Sequence, residues 1–368
     1  MGRAHGSQGP AWRRMDDGHM TTWGMVAIVK NEAANIERCL ASAIAAGVTV
    51  ATIVDTGSSD NTMELVRKAC AGIELRLSEV PFESMGQARS AAFAAAYDSC
   101  DWLLALDADM TCEIDANFVP IGDAYGITMD TGTYRWDLPL LLNGHVRWKS
   151  TGGYHEYTSR ADGAPYAYPH TEAVRVHFVT PPRTLQKSHW IVALLEADLL
   201  KNPEDTRTLF YLAQERRDLG DPRARETYLK RAGLGGWEEE AWWCLYQAAL
   251  LAEWPARAAE LMTAWERRPF RLEPLRDLVR ELNVRGDHHA AYQLACAPRL
   301  PNPDQTFTEP AVWAWEMDFQ RSISAWWCGN PDETRALSEE LLARDDLPDD
   351  VRAAVERNLG LCQPRIAA

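Results

Sequence analysis

Apolar and polar positions divide this chain into two differently patterned parts. In the N-terminal part, Met25-Val26-Ala27-Ile28-Val29, Val50-Ala51-Thr52-Ile53-Val54 and Trp102-Leu103-Leu104-Ala105-Leu106 are nearly unbroken apolar runs. Strands covered on both faces read this way, because no side needs to be polar. Between them lie stretches of helical character. Ala33 to Ala46 is a helix ended by Gly47, Thr62 to Ala71 is a helix with Ser59-Asp60 as its cap, and Gly86 to Tyr97 is an Ala-rich helix; Ile73 to Leu77 adds a short strand. Strand and helix in alternation predict a parallel sheet with right-handed crossovers. Past residue 109 the pattern becomes irregular, with strands expected at Tyr134 to Leu142, Val146 to Trp148 and Val174 to Val179 before Pro181-Pro182 breaks the chain.

The C-terminal part has no strand pattern. Helix starts recur at Phe210-Tyr211-Leu212-Ala213, Cys244-Leu245-Tyr246-Gln247-Ala248 and Leu278 to Leu282. Their partners follow at Ala224 to Ala232, Arg257 to Trp265 and Ala290 to Ala295, separated by Gly220-Asp221-Pro222, Pro255 and Gly286. A fourth copy is expected from Trp313 through Gly329 to Leu342, with Asp349 to Leu361 as a capping helix. The period of about 33–35 residues is that of helix-turn-helix arrays of the tetratricopeptide kind. The expected domains are therefore 21–182 and 183–368, preceded by a polar extension or tag remnant at 1–20.

Composition narrows the class. The 368 residues are 46% hydrophobic and 25% charged, within the range of globular proteins. No apolar run approaches the roughly 18–20 residues of a membrane span, and Met1 to Met20 has no apolar signal core. Eight cysteines are scattered singly without a Cys-x-x-Cys pair, which argues against zinc and for free thiols in a cytoplasmic setting. A net charge of −15 disfavours unspecific polyanion binding.

Chemistry is concentrated where the strands should end. Lys30-Asn31-Glu32 follows the first, Asp55 to Thr62 the second, Gly86-Gln87-Ala88-Arg89-Ser90 opens the third helix, and Asp107-Ala108-Asp109 follows Trp102 to Leu106. Each alone reads as a cap or a turn. Together they would ring the crevice in which open α/β sheets bind ligands. Two carboxylates at i and i+2 are hard anionic oxygens that suit Mg²⁺ or Mn²⁺, ions commonly shared with substrate phosphates.

Four segments, VAIVKNEAANIERCLAS, TIVDTGSSDNTMELV, GQARSAAFAAA and DWLLALDAD, resemble the family 2 glycosyltransferases of GT-A fold over residues 25–109. FYLAQERRDLGD and GGWEEEAWWCLYQAA are similar to tetratricopeptide-like tails carried by a subgroup of these enzymes, and His155-Glu156-Tyr157 between the two parts resembles a short motif that this subgroup often carries. The resemblance implies a GT-A-type, Rossmann-like sheet domain followed by an all-α helical-repeat domain. It implies transfer of a sugar from a nucleotide-sugar donor, UDP-sugar favoured, with a divalent cation. Lys30, Asn31, Glu32, Asp55, Arg89 and Asp107 would then bind the donor, Glu32 and Asp55 at the ribose and base and Arg89 at the diphosphate or sugar. Asp107 and Asp109 would hold the metal, with His155 or His177 as a third ligand, and Glu156 would be the base if the anomeric centre is inverted. Asp137 and Asp130 are weaker candidates for that base. The Gln-x-x-Arg-Trp motif of processive synthases is missing.

The helical part suits an extended macromolecular acceptor, a protein or peptide first, with a modified nucleic-acid base or a surface or lipid-linked glycan as alternatives. A decayed enzyme kept as a binding scaffold is the non-catalytic alternative. A nucleotidyltransferase would show a glycine-rich phosphate loop after the first strand, and none stands there.

Overall fold

A computed structural model describes residues 21–130, 135–178, 184–303 and 306–362. The expected N-terminal extension, Tyr134 and the Pro181-Pro182 break lie outside the described residues, as does the side chain of Asp130. The chain divides into two compact units, residues 1–201 and 202–368.

In the first unit the elements run β1 (Trp23–Val29), α1 (Ile36–Ala45), β2 (Val48–Asp55), α2 (Thr62–Ala69), β3 (Glu74–Glu79), α3 (Met85–Ala96) and β4 (Trp102–Ala105). They continue with β5 (Met110–Ile114), β6 (Ala124–Asp130), β7 (Arg135–Asn143), β8 (Trp148–Thr151), β9 (Tyr157–Arg160), β10 (Val174–Phe178) and α4 (Leu185–Lys201). A six-stranded sheet has the order β3-β2-β1-β4-β7-β6. Its first three pairings are parallel, as the alternation predicts, and β7 and β6 complete it in antiparallel fashion. Two small antiparallel pairs, β5 with β10 and β8 with β9, stand beside it.

The wholly apolar strands are explained by cover on both faces. Trp23, Met25, Ala27 and Val29 of β1 join Ile36, Cys39, Leu40 and Ala43 of α1 in one core. Val26 of β1 instead joins Ala92, Phe93 and Ala96 of α3 and Trp148 in another. The α1 residues recur at helical spacing, the stripe that docks a helix on a sheet.

Two features differ from the sequence reading. The expected strand Val146 to Trp148 begins two residues later, because Asn143 closes a turn by accepting from the His145 and Val146 amides. Strands β5, β6 and β9 were not foreseen; their mixed polarity fits half-covered pairs better than buried strands. Helix α4 groups with the first unit. The Trp190 ring packs against Phe82 and Tyr154, at centroid distances of 5.6 and 5.9 Å.

The second unit is a helical-repeat region of paired helices: α5 (Thr206–Asp218) with α6 (Ala224–Gly233), α7 (Glu238–Leu250) with α8 (Ala256–Arg267), and α9 (Glu273–Arg285) with α10 (His288–Ala295). The fourth pair is α11 (Met317–Trp327) with α12 (Pro331–Leu342), and α13 (Asp349–Leu361) ends the array. Trp242, Tyr246, Leu261, Leu275 and Val279 fill its main core. Trp242 packs between helices: it is fully buried and its Nε1 donates to the Ala264 carbonyl at 2.7 Å. Between α10 and α11 the chain doubles back. The buried Arg271 guanidinium donates to the Thr306 and Phe307 carbonyls, and the Phe307 ring lies among Phe210, Trp237 and Trp243 at 5.4–5.6 Å.

Candidate active site

The carboxyl ends of β2, β1 and β4 adjoin in the sheet, so three of the four polar clusters meet there by topology. Lys30-Asn31-Glu32 leaves β1. Asn31 adopts the left-handed conformation (φ 56°), which asparagine tolerates better than most residues. Its side-chain oxygen accepts from the Ser59 amide at 2.7 Å, and its own amide donates to Ser58 Oγ at 3.0 Å. Ser58 Oγ in turn donates to Asp55 Oδ1 at 2.6 Å, and the Ser58 amide reaches both Asp55 oxygens at 3.1 Å. Asp55 is buried at the end of β2. The Asn31 and Asp55 loops are thus knitted into one rim. Glu32 is half-buried; its amide donates to Thr62 Oγ1 and its carboxylate accepts from Asn35 Nδ2. Lys30 is exposed.

After β4 the chain makes a tight turn, with the Met110 amide donating to the Asp107 carbonyl at 3.0 Å. Helix α1 fixes this turn through its main chain: Arg38 Nη2 donates to the Asp109 carbonyl at 3.1 Å, and Cys39 Sγ to the Asp107 carbonyl at 3.5 Å. Both carboxylates are therefore left to other partners. Burial, then the neighbouring Asp107 and Glu32 charges, push the Asp109 carboxyl above its ordinary range, against the pull of Lys187 on α4. Negative charge is in local excess.

Arg89 lies on α3, whose first turn is capped by Ser84 Oγ accepting from the Gln87 amide at 3.1 Å. The residue is only 9% exposed. Its Nη2 donates to Asp107 Oδ1 and its Nε to Glu156 Oε1, both at 2.7 Å. Glu156 reaches it because the chain before it docks on α3. Ser90 Oγ donates to the Ser150 carbonyl at 2.9 Å and accepts from the Ser150 amide at 2.8 Å, and the Gly86 and Met85 amides donate to the Gly152 and Gly153 carbonyls. Gly152 has φ +124°, a conformation open to glycine. At Gly153 a Cβ would lie 2.3 Å from Asp198 Oδ2 of α4.

The structure thus joins Arg89, Asp107 and Glu156 directly, with Asp109 and Glu32 electrostatically beside them. The two histidines stand otherwise. His155 is half-buried with φ 56° and packs edge-on to the Tyr154 ring at 4.7 Å. His177 is exposed on β10 opposite Thr111. Among the described residues no three His, Cys, Asp or Glu side chains form a group able to hold a metal. Asp137 bonds to Thr128 at 2.6 Å on the β6–β7 pair.

Lys187 was missed, since a lysine at the head of a helix carries no signal of which carboxylate it will face. Gly152-Gly153 could have been found: paired glycines just before the His155-Glu156-Tyr157 motif mark a close backbone approach.

A Rossmann-like sheet whose fourth strand ends in a paired carboxylate, rimmed by the loops of β1 and β2, is the GT-A arrangement of a nucleotide-sugar-dependent glycosyltransferase. The family agrees: residues 25–118 match the model for glycosyl transferase family 2, so the chain carries a family 2 glycosyl transferase domain. No curated protein matches the chain at a significant level. Solved structures similar to it include MamA, 15% identical over 50% of this chain and 90% of that one, with a TM-score of 0.34. TarS from S. aureus is 13% identical over 66% and 54%, with a TM-score of 0.35. Glucosyl-3-phosphoglycerate synthase from Mycobacterium tuberculosis, in complex with Mn²⁺, UDP and glucosyl-3-phosphoglycerate, is 24% identical over 24% and 34%, with a TM-score of 0.21. Among the described residues no helix is long and apolar enough to cross a membrane.

Proposed function

We propose that the protein transfers a sugar from a UDP-sugar, or second a GDP-sugar, to a hydroxyl of a macromolecular acceptor, a protein or peptide, using Mn²⁺ or Mg²⁺. The observation that carries this reading is the excess of carboxylate at Asp107 and Asp109 in the crevice rimmed by Asp55 and Glu32. The donor set fits a hard divalent cation: its ligands are carboxylate oxygens, and such ions are usually completed by substrate phosphates and water rather than by an all-protein cage. When bound, the cation supplies Lewis-acid stabilisation of the departing diphosphate.

The rest falls to the chain's own side chains. Asp55 and Glu32 have spare acceptor capacity for the base and ribose. Asp107 and Asp109 hold the cation, and His155 is the nearer of the two histidines in sequence to the Glu156 loop. Glu156 is the candidate to take the proton from the acceptor hydroxyl in an inverting transfer, and its Oε1 accepts from Arg89 Nε at 2.7 Å. The helical-repeat unit is suited to an extended acceptor chain.

The test is a panel of nucleotide sugars scored for Mn²⁺-dependent release of UDP or GDP, followed by acceptor screening with peptides. Release that disappears in Asp107→Asn and Asp109→Asn supports the reading. Silence across the panel, with no nucleotide binding by calorimetry, would leave the binding-scaffold alternative.

A further inference from the structure

We propose that Arg89 is a positioning residue that couples the cation site to Glu156, making the hold on one carboxylate depend on the state of the other. The inference rests on the reading of Asp107 as a cation ligand and Glu156 as the acceptor-side carboxylate, and it gives Arg89 a role other than grasping the donor.

The geometry carries it. A single planar guanidinium makes two 2.7 Å bonds, Nη2 to Asp107 Oδ1 and Nε to Glu156 Oε1. The two carboxylates come from distant parts of the chain, one from the turn after β4 and the other from the loop between β8 and β9. The Arg89 side chain is 11% exposed and Glu156 13%, whereas Asp107 is 44% exposed. Arg89 therefore faces inward to its two partners, and Asp107 alone of the three opens to the crevice. A guanidinium fork fixes both partners in one plane, which a lysine cannot do.

A cation arriving at Asp107 meets the positive charge of Arg89 at hydrogen-bond distance from the same carboxylate. The two compete, so cation binding weakens the Arg89–Asp107 bond and leaves the guanidinium to Glu156. The coupling is reciprocal. Where position 156 carries no charge, as in Glu156→Gln, Arg89 turns back on Asp107 and competes more strongly with the cation.

The experiment is a Mn²⁺ titration of the full chain, followed by the electron paramagnetic resonance signal of free Mn²⁺, on wild type, Arg89→Gln, Glu156→Gln and the double variant. Removing the competing charge is expected to tighten Mn²⁺ several-fold in Arg89→Gln. Glu156→Gln is expected to weaken Mn²⁺, and to do so by at least about threefold less when Arg89 is already glutamine. UDP affinity at saturating Mn²⁺ should stay within about threefold of wild type in Arg89→Gln. Additive effects in the cycle, or a loss of UDP affinity of about tenfold or more with Mn²⁺ affinity unchanged, would overturn the proposal. If Arg89→Gln does not fold, Arg89→Lys replaces it; it keeps the charge, loses the fork and should abolish the non-additivity. Donor turnover is measured separately, so failure of the transfer reading and failure of the coupling give different results.

Discussion

Gly86 and Gly152 meet backbone to backbone. The Gly86 amide donates to the Gly152 carbonyl at 2.9 Å, and a Cβ on Gly86 would stand 2.7 Å from that oxygen. This contact seats the loop that carries Glu156 on the helix that carries Arg89.

Gly86→Ala therefore has to push that loop away. A destabilisation of about 2 kcal/mol is expected, with donor turnover reduced beyond what the lower stability explains. Gly72→Ala is the control: no atom lies within 4 Å of its Cβ position, and a change within about 0.5 kcal/mol is expected. Urea unfolding and turnover of both variants decide the matter.

Asp109 gives a pH-dependent signature. Its folded pKa is raised, so its contribution to stability is complete below the ordinary value of 3.8 and is lost as pH rises through the raised one. A bound cation takes the place of the proton. The increase in Tm caused by Mn²⁺ should therefore grow between about pH 4 and pH 7, and Asp109→Asn should raise the metal-free Tm while abolishing the Mn²⁺ increment. A Mn²⁺ increment that is flat with pH would contradict this.

His145 tests a different part of the sheet. Hydrogen bonds to Asp98 (2.6 Å) and Asp101 (3.2 Å) raise its pKa above the ordinary 6.5. Asp101 also accepts from the Thr22 amide and hydroxyl, tying the start of β4 to the chain entering β1. Stability from protonated His145 is fully present below about pH 6.5 and is lost above it, through the raised pKa. The Tm difference between wild type and His145→Gln should be largest near pH 6 and vanish by about pH 9.

In the second unit, Trp242 stacks with Tyr246 at 5.8 Å and lies under the Arg271 guanidinium at 4.2 Å. Trp242→Ala removes a fully buried ring and a cation–π partner together, and a loss of about 3–5 kcal/mol is expected from denaturant unfolding.

How much of this was readable beforehand depends on range. The strands β1, β2 and β4 were legible because burial on both faces leaves an unbroken apolar run. The helix pairs of the second unit were legible because their punctuation by Gly220, Pro255 and Gly286 is local. Three of the four polar clusters stand at the carboxyl ends of β1, β2 and β4, as the alternation predicts, and the fourth opens α3. What the sequence hid was set by contacts between distant segments. Nothing local to Arg89 shows that Glu156, far along the chain, stands at its side. Nothing local ties helix α4 to the first unit, whereas Trp190 packs against Phe82 and Tyr154. Lys187 has no local mark at all.

The segment from Thr306 to Glu309 alters how the helical unit should come apart. In an open array each repeat rests on its immediate neighbours, so an end can peel away while the remainder stands. Here the connection after the third helix pair reaches back to the first and second, through Phe307 on Phe210 and Trp243, and Phe307 accepts a left-handed φ of 55° to do so. The Glu309 carboxylate closes the link by pairing with Arg276 at 2.7 Å. Such a clasp makes α5 to α10 melt as one body instead of fraying repeat by repeat. Phe307→Ala should accordingly broaden the unfolding transition or split it in two, and uniform hydrogen-exchange protection along α5 to α10 should give way to a gradient from the end.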